Sequence, residues 1–257
     1  MPRRLDRSGP SSPAVAQAEA RRHRPGARVH KVTLVAAPAT LDLAGRQVTT
    51  WAYNHTVPGP TLRLRAGDVL SADLTNRLPE PTTIHWHGVG LRNDMDGAPG
   101  MTQAPTPPGD RFTYQFTVPD PGTYWLHPHV GLQLDHGLYA PLLVDDPAEP
   151  GGYDQEAVVV LDDWTDGVGP TPEQLQARLA RQGGMMGDGG MGMMGQGASQ
   201  ALGGTGGQVD YPLYLLNGHP PADPPMIRAR PGARLRSSTA PARPQLPGPG
   251  SLRERPS

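Results

Sequence analysis

The chain has no cysteine among its 257 residues, only 2 Phe, and no surplus charge of either sign, with 23 basic residues against 24 acidic ones. Each absence excludes something. Without Cys the chain supplies no disulfide, no Cys zinc finger, no iron–sulfur ligand and no thiolate nucleophile. The balanced charge leaves no nucleic-acid footprint. No stretch approaches the roughly 20 apolar residues of a membrane-spanning helix. What is abundant is Gly, at 33, and Pro, at 32, the two poorest residues for a helix interior. The balance points to a β-leaning chain.

The Gly and Pro are unevenly spread. Residues 1–29 are rich in Arg, Pro and Ala without periodicity and read as a disordered arm. Arg3 and Arg4 hint at a twin-arginine export signal, but no apolar segment of about 7–15 residues follows them, so no complete signal peptide is visible. From 30 to 165 the texture changes to short alternating segments: His30–Val35, Thr61–Leu64, Asp68–Leu74, Thr82–His87, Arg111–Val118, Gly122–Leu126, Gly137–Val144 and Ala157–Leu161. Turn residues such as Pro58-Gly59-Pro60 and Pro108-Gly109-Asp110 separate them, the pattern of an all-β sandwich or barrel. Residues 166–208 read as a linker. It holds a short helix over 170–182 with Thr171 as N-cap, then a Gly/Met low-complexity run. In that run Met185, Met186, Met191, Met193 and Met194 offer soft thioethers suited to Cu(I), against the plainer reading of a flexible spacer.

An internal repeat marks a second domain. Pro60–Leu70 (PTLRLRAGDVL) aligns without gaps to Pro225–Leu235 (PMIRARPGARL), and each copy follows an Asn turn, Asn54-His55 and Asn217-Gly218. Residues 209–236 therefore read as the start of a second domain of the same kind. Residues 237–257 read as a disordered tail, as a truncation or frameshift would leave.

The chemistry sits in two H-x-H pairs, His85/His87 and His127/His129. Residues i and i+2 of a strand share a face, so each pair presents two imidazoles side by side and turns Trp86 to the opposite, core side. Pro128 removes a backbone donor and places the second pair at a strand end. Two such pairs meeting in space make a four-imidazole cage, a donor set suited to copper, zinc, iron or nickel. Asp162, Asp163 and Asp166 read as a solvated turn and His136 as a surface side chain.

These motifs resemble the first two copper motifs of the multicopper oxidases, the laccase- and bilirubin-oxidase-like proteins. The resemblance extends through N-x-x-x-P-G-P-T (Asn54 to Thr61), D-G-A-P-G-M-T-Q (Asp96 to Gln103), P-G-T-Y-W-L-H-P-H (Pro121 to His129) and G-L-Y-A-P-L-L-V (Gly137 to Val144). It implies a cupredoxin-like Greek-key β-sandwich. It implies that His85 binds a type 2 copper, and that His87, His127 and His129 bind the type 3 pair of a trinuclear cluster. Asp96 matches the acidic residue that helps deliver protons during oxygen reduction, although an Asp-Gly turn accounts for it equally well. The reaction implied is oxidation of a reducing substrate, phenolic or a metal ion, coupled to reduction of O2 to water. An exported, extracytoplasmic destination is implied as well.

The family's other ligands, including the Cys of its type 1 copper, have no counterpart among these residues. The resemblance therefore implies an N-terminal portion holding half of the cluster ligands and inactive alone. The alternative is a non-enzymatic copper-binding or copper-sequestering protein. A copper nitrite reductase-like reading is disfavoured, because that family carries a type 1 Cys in its first domain.

Overall fold

Alternation along two central segments decides which way they face. Over Val69–Asn76 (β4) the side chains of Leu70, Ala72 and Leu74 are buried, and over Arg111–Thr117 (β6) those of Tyr114 and Phe116. The structure, a computed structural model, describes residues 12–43, 45–146, 148–149, 153, 155–184, 211–227 and 234–239. Its first sheet runs β2-β1-β4-β6, with β1 at Val29–Leu43 and β2 at Arg46–Tyr53. A second sheet runs β3-β8-β7-β5, with β3 at Leu62–Arg65, β5 at His85–His87, β7 at Gly122–His127 and β8 at Ala140–Asp145. The pairs β1–β4 and β3–β8 are parallel and the others antiparallel. Leu34, Leu70, Leu74, Trp86, Phe116 and Leu126 close the core between the sheets. Trp86 is fully buried, edge-on to Tyr114 and Phe116, which is the core-side position expected from the H-x-H spacing.

A third sheet has the order β10-β9-β11, with β9 at Glu156–Trp164, β10 at Leu213–Leu216 and β11 at Arg234–Thr239. It repeats part of the first. As β1 pairs antiparallel with β2 and parallel with β4, so β9 pairs antiparallel with β10 and parallel with β11. The sequence repeat is the visible part of this duplication, since β4 begins at Val69 and β11 at the aligned Arg234. Both Asn turns perform one task. Asn54 Oδ1 accepts from Val35 N at 2.7 Å and its Nδ2 donates to Thr33 O at 2.9 Å. Asn217 Oδ1 accepts from Val160 N at 2.7 Å and its Nδ2 donates to Val158 O at 3.0 Å. Their φ values, 52° and 51°, lie in the left-handed region that Asn tolerates better than most residues.

Several expectations need correction. The 1–29 arm is not wholly irregular: Pro13–Arg22 forms helix α1. Ser12 caps it, Pro13 opens it, and four alanines supply the strongest helix propensity. It lies along the edge strand β6, where Glu19 accepts from Thr117 N, and Arg22 Nη1 reaches Gly90 O at 2.7 Å. The segment after 236 is strand as far as Thr239, because Ser237–Thr239 pair with Val159–Leu161. A boundary at 165 separates β9 from the sheet it belongs to, since its hydrogen-bonded partners are β10 and β11. Strand β2 is absent from the sequence reading, and β1 runs on through Pro38. That proline is borne because the last β1–β4 pair is Ala36–Asn76, so one flank of β1 is open there. Helix α2, at Pro172–Gly184, follows the expected cap. Thr171 Oγ1 accepts from Gln174 N at 3.3 Å while Gln174 Oε1 accepts from Thr171 N at 3.1 Å, a reciprocal capping box. The start of the arm, the Gly/Met run with its five methionines, and residues 240–257 lie outside the described residues.

Candidate metal centre

Strands β5 and β7 are antiparallel neighbours, with His85 opposite His127 and His87 opposite Trp125. This register stacks the two H-x-H pairs on one face. His129 follows just past the end of β7, where its N–H donates to Thr83 Oγ1 at 3.2 Å. Ring centroids are 4.1 Å apart for His85–His129, 5.0 Å for His127–His129, and 5.5 Å for both His85–His127 and His87–His127. One nitrogen each from His85, His87 and His127 lies within 4.8 Å of the others. His129 stands beside that set rather than in it.

Hydrogen bonds fix which nitrogens carry lone pairs. His85 Nδ1 faces the Asp96 carbonyl oxygen at 2.9 Å, and His127 Nδ1 faces the Pro128 carbonyl oxygen at 2.9 Å. A carbonyl only accepts, so both Nδ1 atoms donate and both Nε2 atoms keep their lone pairs. His127 Nε2 then meets His87 Nδ1 at 3.3 Å. Burial, opposed only by the Pro128 hydrogen bond and reinforced by the three neighbouring imidazoles, drives His127 down to about 3. Burial and the neighbouring His85 lower His87 and His129 as well. His87, His127 and His129 are thereby neutral at physiological pH, the protonation state a metal ligand requires. The donor set, its convergence and its tautomers fit a borderline metal such as copper.

The loop beside the site is held by one close approach. Gly97 has φ +76°, and a Cβ there would meet Ile84 O at 1.9 Å, so only glycine lets the turn lie against the strand carrying His85. The turn brings the Asp96 carboxylate to 3.3 Å from His85 Nδ1. A buried amide joins the two ligand-bearing segments. Gln133 Oε1 accepts from Thr82 Oγ1 at 2.6 Å, and its Nε2 donates to Pro81 O at 2.8 Å. Nothing in the sequence pattern marks Gln133 or Thr83, because their partners lie about fifty positions away.

Two surface readings fail. His136 is buried, with Nδ1 2.8 Å from Asp166 Oδ2 and Nε2 2.7 Å from Glu173 Oε1. Burial alone would lower its basicity, but those two carboxylates push it up to about 9. Asp162 and Asp163 belong to β9 rather than a solvated turn. Tyr139 donates to Asp162 Oδ2 at 2.6 Å, and burial raises both carboxyls to about 7.

With that geometry in place, comparison with known proteins is informative. The multicopper oxidase family model matches residues 36–149. The multicopper oxidase MmcO of Mycobacterium tuberculosis is 51% identical over 225 residues, covering 87% of this chain and 44% of its own length. Copper resistance protein A of Pseudomonas syringae is 43% identical over 143 residues, or 55% of this chain and 23% of its own. Among solved structures, a multicopper oxidase from Pseudomonas thermotolerans superposes with TM-score 0.64 at 33% identity, covering 84% of this chain and 47% of that one. The chain thus spans less than half the length of these relatives. The sandwich is of the cupredoxin type found in these oxidases.

Proposed function

From a chain that belongs, through residues 36–149, to the multicopper oxidase family, we propose a copper-binding oxidoreductase module in which His85, His87, His127 and His129 hold copper. The observation that carries this reading is the convergence of three imidazole nitrogens from two paired strands within 4.8 Å. In the finer assignment His85 serves a type 2 ion through Nε2, and His87, His127 and His129 serve a type 3 pair. Copper supplies one-electron transfer and O2 reduction; the protein's part is to aim neutral imidazoles. The Asp96 carbonyl holds His85 in its tautomer. The Asp96 carboxylate, one-third exposed and 3.3 Å from that ring, is placed to pass protons between solvent and the site.

Oxidation of a phenolic or metal-ion substrate with reduction of O2 to water is the activity of the assembled oxidase. These 257 residues hold no Cys, so no type 1 thiolate comes from them, and the module by itself is proposed to bind copper without completing that reaction. Residues 30–165 with 209–236 are taken as one cupredoxin-like domain and the beginning of another, with β9 reassigned to the latter. The extracytoplasmic destination belongs to the same proposal; among the described residues no helix is long and apolar enough to cross a membrane. The lack of Cys is also what favours the second reading, a copper-sequestering protein.

Loading the full chain with Cu(II) and measuring bound copper tests the site. The wild type retains copper stoichiometrically, and His87→Ala with His129→Ala lose it. Undiminished binding in those variants would sink the reading. A module without thiolate also shows no intense blue charge-transfer band, and a blue protein would refute the missing type 1 site.

A further inference from the structure

Two of the four imidazole rings are anchored by a carbonyl, and a third ligand, His129, is anchored through its backbone. His85 is tied to Asp96 O, His127 to Pro128 O, and the His129 backbone to Thr83. His87 has no such anchor: it is exposed, and among the described residues its ring makes no hydrogen bond except to His127. An exposed imidazole held only by another proposed ligand is free to swing about its side-chain torsions. Yet its Nδ1 lies 3.3 Å from His127 Nε2, so something else sets its plane.

That something is an indole. Trp125 stands directly opposite His87 in the β5–β7 register and two residues before His127, which places its side chain on the ligand face. Its ring stacks on His87 with centroids 4.7 Å apart and planes 28° apart, and on His127 at 4.2 Å and 18°. One aromatic plane thus supports two imidazoles from two strands. Trp125 itself is braced, partly buried against Tyr139 and Val160. Stacked aromatic pairs resist rotation of either ring.

We infer that Trp125 is a positioning residue for copper, a platform that fixes the planes of His87 and His127 so that Nδ1 of one and Nε2 of the other converge on the same space. The inference rests on the copper reading above and deepens it. Groups that orient metal ligands without touching the metal change affinity by about 10–100-fold when removed, and Trp125 belongs at the lower end because His127 keeps its Pro128 hydrogen bond.

The test uses the full chain with Cu(II) alone. Affinity is measured by competition with a chelator, the bound ion by its paramagnetic resonance spectrum, and folding by thermal melting. Trp125→Leu is expected to weaken Cu(II) binding about tenfold and alter the spectrum, while the melting temperature changes little. Trp125→Phe, which keeps a stacking ring, is expected to recover most of the affinity and the wild-type spectrum. Wild-type affinity and spectrum in Trp125→Leu would overturn the inference. So would equal affinity losses in both variants that follow a lowered melting temperature, because Trp125 would then be packing alone. His87→Ala and His127→Ala separate the two proposals. If they bind Cu(II) like the wild type, the copper reading itself fails. If they lose copper while Trp125→Leu keeps it, only the platform falls.

Discussion

The sheet β2-β1-β4 and the sheet β10-β9-β11 are built alike, down to an Asn at φ near 50° latching the central strand through two side-chain hydrogen bonds. They differ in what accompanies them. The first sheet also carries β6 and packs against β3-β8-β7-β5, whose strands β5 and β7 hold the imidazoles. The sheet β10-β9-β11, among the described residues, carries no metal-ligand group. The shared unit is therefore scaffold, and the chemistry belongs to the strands added to it. The sheet β10-β9-β11 also packs on the first unit, through Trp164 and Leu215 against Leu43 and Val48.

The largest expected effect comes from cutting the polar joint between the two units. Thr50 of β2 donates to Asp166 Oδ2 at 2.7 Å, and the same oxygen meets His136; Glu173 of α2 takes the other imidazole nitrogen. His136→Ala leaves Asp166 buried without its cation and is expected to cost about 3 kcal/mol, read from denaturant melts. The pH dependence has a definite sign. The folded value of about 9 exceeds the ordinary 6.5, so the contribution is full below pH 6.5 and is lost as pH rises through 9. Asp162 and Asp163, at about 7, lose their contribution as pH climbs from about 4 to 7, which leaves the range above 7 to His136. Wild-type stability should decline between pH 7 and 9 while His136→Ala stays flatter; parallel curves would refute the assignment.

A smaller effect, confined to the first unit, is expected at Gly97. Gly97→Ala forces a Cβ into Ile84 O and strains a φ of +76°, at about 2 kcal/mol. The turn must lift, taking Asp96 from His85, so bound Cu(II) should show an altered paramagnetic resonance spectrum. An unchanged spectrum with lowered stability would mean that the turn can lift without disturbing His85.

Much of this arrangement can be read from the sequence, and the failures have causes. Alternation exposes β4 and β6, and H-x-H spacing exposes the ligand face, because both are periodicities within one strand. Strand β2 escapes because its alternating buried positions are Val48, Thr50 and Ala52, so a polar and a small residue blunt the apolar contrast. His136 and Gln133 escape because what buries them comes from Asp166, Glu173 and Thr82, residues distant in sequence. Trp125 stands inside a recognised motif, but its role depends on the β5–β7 register, which no single segment encodes. Helix α1 is obscured by a composition averaged over the whole arm, although Ser12-Pro13 and the alanines form a local helix signal.

The smallest effect tests the duplication itself. Replacing each turn Asn by Gly keeps the positive φ accessible while deleting the side-chain hydrogen bonds, so backbone strain does not contribute. Each deletion removes a pair of bonds worth about 1 kcal/mol in net stability. In Asn54→Gly the Val35 amide loses the acceptor Oδ1, and in Asn217→Gly the Val160 amide loses its equivalent. Hydrogen exchange should therefore quicken at Val35 only in the first variant and at Val160 only in the second, by about fivefold each. Acceleration at both amides in either variant would show that the two sheets open as one unit. No acceleration at Val160 would show that the second turn repeats the geometry of the first without its energetic role.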